Sequence, residues 1–209
     1  LINIFFGKDF NITNSENGFI LYQDHLGEMV LPEPSILGDH QLNNISTSIA
    51  ASRKIFNIKD NDIINGIQNI SLKGRLEEIK SGKLKMITGN NRLIIDGGHN
   101  ISASFSIANW IKNQTQEVNL IVGMMKDKEH IEFIKSFRNI VNSITLIDIP
   151  NQEGAISKED LESKINELNL NIKKSQSIES AIKSLSKKEN TITVCVGSLY
   201  LAGEILKLN

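Results

Sequence analysis

From residue 74 to residue 206, short apolar runs alternate with stretches of helical spacing, and this alternation constrains the fold more than any other feature. Strands are predicted at residues 76–80, 84–88, 93–96, 118–122, 143–149, 170–173 and 191–196, with helices at 102–112, 128–137, 158–168, 178–186 and 200–206. Strands separated by helices of this length favour an α/β unit whose mostly parallel sheet is covered on both faces. Right-handed crossovers then carry the functional loops to the carboxyl ends of the strands.

The first part of the chain has a different rhythm. Strands are expected at residues 1–6, 18–22 and 28–31, separated by segments bearing Asn, Ser and Gly. Beyond Pro32 and Pro34, Leu42, Ile45 and Ile49 mark a helix over residues 41–56, and a second helix follows at 60–67 with Asp60 or Asn61 as its cap. The chain is divided accordingly at residues 72 and 73. Its opening residues, Leu1-Ile2-Asn3-Ile4-Phe5-Phe6, read as an interior strand without the basic region of a signal peptide, so a longer parent protein is expected.

Composition excludes several classes. The 23 basic residues balance 24 acidic ones, leaving no electrostatic footprint for nucleic acid or an anionic membrane. Apolar runs stay well short of the roughly 20 residues of a membrane-spanning helix. A single cysteine, Cys195, rules out an internal disulfide and a cysteine-built metal cluster. The chain contains no Gly-x-x-x-x-Gly-Lys-Ser/Thr, no Gly-x-Gly-x-x-Gly after a strand, no His-Glu-x-x-His and no Gly-x-Ser-x-Gly.

Three glycine-bearing loops follow predicted strands: Asp96-Gly97-Gly98-His99-Asn100, Gly123-Met124-Met125-Lys126-Asp127-Lys128 and Gly197-Ser198-Leu199-Tyr200. Loops at one sheet edge are where an open α/β sheet binds ligands. Asp96 could accept hydrogen bonds from ribose hydroxyls, or the loop could be a plain turn in which Asn100 or Ser102 caps the next helix. His99 could accept a proton or bind an anion, although a lone histidine is often structural. Lys126 and Lys128 could meet a carboxylate or phosphate with Asp127 orienting them; alternatively Asp127 caps a helix. Ser198 and Tyr200 could hold a carboxylate at a helix amino terminus, or Ser198 could merely cap that helix while Tyr200 packs on it. Arg75, at the joint of the two regions, suits a phosphate or an ion pair.

Five phrases in order resemble the folylpolyglutamate synthase and dihydrofolate synthase family of the Mur ligase superfamily. They are Leu37-Gly38-Asp39-His40-Gln41-Leu42-Asn43-Asn44, Gly74-Arg75-Leu76-Glu77, the Asp96 phrase, the Gly123 phrase, and Gly197-Ser198-Leu199-Tyr200-Leu201-Ala202-Gly203-Glu204. The resemblance implies an α/β fold with a Rossmann-like carboxyl-terminal glutamate ligase domain at residues 73–209, preceded by the end of a central ATP-binding domain at 1–72. It implies ATP-dependent addition of L-glutamate to dihydropteroate or reduced folates through an acyl phosphate, with ATP and Mg²⁺ as cofactors. Asn44 then matches an adenine contact, Arg75 a phosphate contact and Asp96 a ribose contact. His99, Ser198 and Tyr200 match glutamate positions, Lys128 suits one of the glutamate carboxylates, and His99 and Arg75 are the expected catalytic residues. No metal ligand is expected in this chain, because the phosphate loop and metal site of the family lie upstream. Gly98 and Ile101 replace the alanine and proline common in the family's phrase. A cytoplasmic monomer acting on small molecules, without nucleic-acid or membrane partners, completes the expectation. A UDP-muramyl-peptide ligase and a non-catalytic nucleotide-binding α/β module are the alternatives.

Overall fold

The computed structural model describes residues 3–14, 19–34, 36 and 38–209, so residues 1–2, Gly18 and Leu37 of the segments named above lie outside the described residues. Two compact units divide the chain, Leu1–Leu72 and Lys73–Asn209.

In the first unit, β1 (Phe10–Asn14), β2 (Phe19–Asp24) and β3 (Gly27–Pro32) form an antiparallel meander. The β2–β3 register pairs Asp24 with Gly27, which leaves His25 and Leu26 as a two-residue turn, and Gly27 has a φ of 119°. Alternation buries one face, so Phe10, Ile12, Ile20, Tyr22, Met29 and Leu31 pack on Ile45, Ile49 and Ala50 of α1 (Asp39–Ile55) and on Ile63 and Ile67 of α2 (Asp60–Gln68). Two expectations need correction. Over residues 3–6 the expected strand does not form, and β1 begins at Phe10 instead: the Asp9 carboxylate accepts the Phe5 amide, folding residues 5–9 into a turn, and Phe6 only bridges to Phe10. Lys59, not Asp60 or Asn61, is the N-cap of α2, because the Asp60 carboxylate is drawn to Arg53 at 2.7 Å.

The second unit is an α/β sheet. Its elements run β4 (Glu77–Glu78), α3 (Lys83–Thr88), β5 (Arg92–Ile95), α4 (Ile101–Lys112), β6 (Glu117–Val122), α5 (His130–Lys135), β7 (Ser143–Leu146), α6 (Lys158–Ile165), β8 (Ile172–Lys174), α7 (Ile178–Leu185), β9 (Thr191–Val196) and α8 (Leu199–Leu208). The strands are ordered β4-β5-β9-β6-β7-β8, with only β4 antiparallel. β9 therefore inserts between β5 and β6, and every residue of it is buried. Leu93, Ile95, Cys195 and Ile121 share the face covered by Leu84 of α3, Ile178, Ala181, Ile182 and Leu185 of α7, and Leu201 and Ile205 of α8.

Several predicted elements change here. Residues 84–88 are helix, not strand. Leu84, Ile87 and Thr88 supply a helical stripe, and the Asn209 backbone and side-chain oxygens accept the Lys83 and Leu84 amides at the helix start. The strand expected at 76–80 shrinks to β4, because Leu76 sits in the left-handed region at φ 44°. The helix expected at 128–137 is α5 alone, with Glu129 rather than Asp127 at its N-cap. β7 ends at Leu146, three residues short of expectation, and β8 is shifted to Ile172–Lys174. α6 passes into a 3₁₀ turn at Asn166–Leu168. Among the described residues no helix is long and apolar enough to cross a membrane.

Candidate functional site

The insertion of β9 places the carboxyl ends of β5, β9 and β6 side by side, at a point where the strand order reverses. The loops that follow them are tied to one another through their backbones.

After β5, the Asp96 amide continues the sheet by donating to Cys195 O at 2.9 Å. Asp96 is 4% exposed, and its carboxylate accepts two backbone donors, Gly98 N–H on Oδ1 at 2.6 Å and Leu76 N–H on Oδ2 at 2.8 Å. Gly97 N–H donates to Gly74 O at 2.8 Å, so the 74–76 turn and the 96–98 loop are joined twice. A Cβ on Gly98 would lie 2.8 Å from the Ala103 Cβ, and one on Gly97 would strike Leu199. The paired glycines thus serve close packing of the loop on α4 and α8. Arg75 sits half-buried at the apex of the 74–76 turn and makes no ion pair among the described residues.

His99 points Nδ1 at Gly97 O, 2.9 Å away. A carbonyl oxygen only accepts, so Nδ1 carries the proton; in the neutral ring Nε2 is left as an acceptor, and in the charged ring as a second donor. Asn100 accepts the Ala103 amide and caps α4, as one reading of the sequence held.

After β9, Gly197 adopts a φ of 107°, donates to Gly98 O at 3.0 Å and lies against Gly123, whose carbonyl oxygen would be 2.7 Å from an added Cβ. Ser198 is 2% exposed, and its Oγ accepts the Tyr200 amide at 3.1 Å, capping α8. That bond uses a lone pair and leaves the hydroxyl proton to donate. Tyr200 is 54% exposed, so it does not pack down as the bland reading expects.

The loop after β6 is braced by residues 153–156. Lys126 N–H donates to Gly154 O, Ile156 N–H to Met124 O, and Met125 bridges to Ala155. The Lys126 ammonium is spent on Glu153 O at 3.0 Å, whereas Lys128 pairs with Asp127 at 2.8 Å. The Lys128 hydrogen bond outweighs the small desolvation cost and, with His99 acting more weakly, holds the Asp127 carboxyl below the usual range. His130, which the sequence reading did not single out, is 4% exposed and bonds Met125 O through Nε2 at 3.0 Å. A histidine two residues past a lysine carries no periodic signal, so only its burial reveals it.

Asn44 belongs to the first unit. It lies exposed on α1, donates to Gln41 Oε1 at 3.1 Å, and lines a cavity of about 360 Å³ with Ile45, Ser48, Ile63 and Ile67. Among the described residues no group of three His, Cys, Asp or Glu side chains could hold a metal ion.

Residues 80–208 match the family described as dihydrofolate synthetase, C-terminal domain. The chain is 22% identical over 209 residues to a probable dihydrofolate synthetase of Schizosaccharomyces pombe, covering 92% of this chain and 48% of that protein. It is 20% identical over 222 residues to the dihydrofolate synthetase of Saccharomyces cerevisiae, covering 97% and 52%. The chain thus spans about half the length of the curated relatives it matches. Among solved structures, Escherichia coli FolC in complex with DHPP and ADP superposes with a TM-score of 0.79 at 20% identity, covering 97% of this chain and 46% of that one. Mycobacterium tuberculosis folylpolyglutamate synthase complexed with ADP gives 0.81 at 16% identity, covering 97% and 48%. At these identities the solved structures establish the fold.

Proposed function

The chain belongs to the dihydrofolate synthetase C-terminal domain family, and on that premise we propose that it is part of an ATP-dependent ligase joining L-glutamate to dihydropteroate or a reduced folate. One observation carries the reading: backbone bonds from Gly97, Gly197 and Gly123 lock the loops bearing Asp96, His99 and Ser198 into one strand-end cluster. The second unit would be the glutamate ligase domain, and the first the end of the ATP-binding domain.

The reaction transfers the terminal phosphoryl group of ATP to the pterin substrate's carboxylate, giving an acyl phosphate and ADP. The glutamate amine then attacks the acyl carbon, and the tetrahedral intermediate releases phosphate as the amide forms. Positioning and charge stabilisation are what a protein adds to such steps. Ser198 Oγ–H, the His99 ring and the Lys128 ammonium are donors suited to the two carboxylates of glutamate, with the exposed Tyr200 hydroxyl beside Ser198 in sequence. In its neutral form, with Nδ1–H donating to Gly97 O, His99 could instead accept a proton on Nε2 from the glutamate ammonium, which frees the amine lone pair that then attacks. Arg75 suits the nucleotide phosphates, Asn44 the adenine, and Asp96 the ribose. Because the described residues do not form a metal site, no step is assigned to Mg²⁺ through them.

The test is ADP release by the protein at its full natural length, with each pterin substrate offered in turn. Turnover should require glutamate and a pteroate-type carboxylate together. Turnover with UDP-muramyl substrates instead, or none with any pterin acid, would remove this reading.

A further inference from the structure

The loop that carries Lys128 runs alongside an excursion of the chain, residues 148–158, that leaves the carboxyl end of β7 and returns at α6. Ile156 N–H donates to Met124 O at 3.0 Å, Lys126 N–H donates to Gly154 O at 2.9 Å, and Met125 bridges to Ala155 between them. The Lys126 ammonium adds a further tie on Glu153 O at 3.0 Å. Gly123 lies against the same excursion, since a Cβ there would be 3.0 Å from Ile149 Cγ1.

One residue pair closes this excursion at its base. Asp148 accepts the Lys158 amide on Oδ1 at 2.9 Å and the Lys158 ammonium on Oδ2. Lys158 is 8% exposed at the first position of α6, and a lysine is seldom buried to that degree unless it is paired. Asn151, inside the excursion, takes a φ of 56°, a left-handed conformation that asparagine tolerates. Closing a loop at its base removes conformational freedom from everything between the ends. We infer that residues 148–158 act as a strap that sets where the Lys128 ammonium stands, and that Asp148 and Lys158, which close the strap, are positioning residues for glutamate binding. What Lys128 meets rests on the ligase reading; what the strap holds does not.

The test uses the protein at its full natural length. Lys158→Met keeps the apolar stem and the backbone amide that Asp148 Oδ1 accepts, and removes the ammonium. Asp148→Asn removes the charge from a side chain that is 50% exposed, and so keeps the test open if a buried methionine disturbs the packing. Both should raise the glutamate KM about 10-fold, short of the roughly 100-fold that an ångström of misplacement can cost, with kcat and the ATP KM within about 2-fold of wild type. Lys158→Arg, which can still pair with the carboxylate, should restore the glutamate KM. Lys128→Met should raise it about 10- to 100-fold, the order of a lost hydrogen bond to a charged group, and adding Lys158→Met should raise it no further.

Amide hydrogen exchange in the glutamate-free protein reads the strap without turnover. The Lys126 and Ile156 amides should exchange about 10-fold faster or more in Lys158→Met, while those of Leu120 in β6 and Val194 in β9 keep their protection. A wild-type glutamate KM in both Lys158→Met and Asp148→Asn overturns the inference, as do multiplicative losses with Lys128→Met. Loop amides that stay protected overturn it too, and so does protection lost equally across β6 and β9, which would make the pair a plain support of the fold. Lack of glutamate-dependent turnover in wild type would instead remove the ligase reading, and the exchange result would still decide what the strap holds.

Discussion

His130 donates from Nε2 to the backbone oxygen of Met125 at 3.0 Å, spanning the loop that carries Asp127 and Lys128 alongside the backbone bonds to residues 154 and 156. The imidazole is buried at the start of α5, where a protonated ring would have to give up hydration without a carboxylate bonded to it. The loop's conformation is therefore tied to a neutral side chain.

That tie predicts a pH dependence. Burial, the largest influence, holds His130 below the ordinary value of 6.5 despite the opposing pull of the Met125 bond. A group with a depressed folded value stabilises the fold fully above its unfolded value and loses that contribution as pH falls through the folded one. The urea midpoint should thus drop on acidification from about pH 7.5 to about pH 5 more steeply in wild type than in His130→Gln, which keeps a donor for Met125 O but does not titrate. Parallel profiles would count against the neutral buried ring.

Gly197→Ala should be among the most damaging single-methyl changes. The new Cβ would lie 2.7 Å from Gly123 O, at a φ of 107° that side chains rarely adopt. Left-handed strain of about 1–2 kcal/mol and overpacking of about 1–3 kcal/mol act together, read as a lowered unfolding midpoint of the second unit. Gly203→Ala, with open space at its Cβ, is the control and should be neutral or better.

In the first unit, Arg53 reaches both oxygens of Asp24, at 3.0 and 3.1 Å, and one of Asp60 at 2.7 Å. The Arg53 and Asp24 side chains are 10% and 4% exposed, so the pair ties the end of β2 to α1 from within. Asp24→Ala should cost roughly 1–3 kcal/mol, the range for losing hydrogen bonds to a charged group, because the buried Arg53 guanidinium is left with Asp60 alone. Amide exchange of β2 and α1 reads this without interference from the second unit.

Ser198 and Tyr200 should separate by experiment. Ser198→Ala should raise the glutamate KM and also remove the α8 cap, at about 1 kcal/mol of stability, since Ser198 Oγ accepts the Tyr200 amide. Tyr200→Phe, on a side chain 54% exposed, should raise the glutamate KM while leaving the melting temperature unchanged. Wild-type glutamate kinetics in both would take these residues out of the substrate site.

Much of the second unit was legible because its signals are local. The fully buried β9, the helices α4, α7 and α8, and the caps Asn100 and Ser198 all follow from apolar period and residue type. Errors arose where contacts distant in sequence outvote local pattern. Residues 84–88 read as a strand until Asn209, 125 residues away from Leu84, caps them as a helix. Lys126 and Lys128 look equivalent in sequence, yet one ammonium is used on Glu153 O and the other pairs with Asp127.

The amino-acid order thus marks most of the strands and helices of the second unit and its three glycine-bearing strand-end loops, because hydrophobic period and turn residues act over a few positions. The strand order lay beyond it. Inserting β9 between β5 and β6 pairs Leu93 with Thr193 and Val118 with Ile192, contacts that local pattern cannot encode. That insertion brings Gly97, Gly123 and Gly197 into one cluster, and it turns Asp96 from a polar residue at a strand end into the buried clasp of the Arg75 turn.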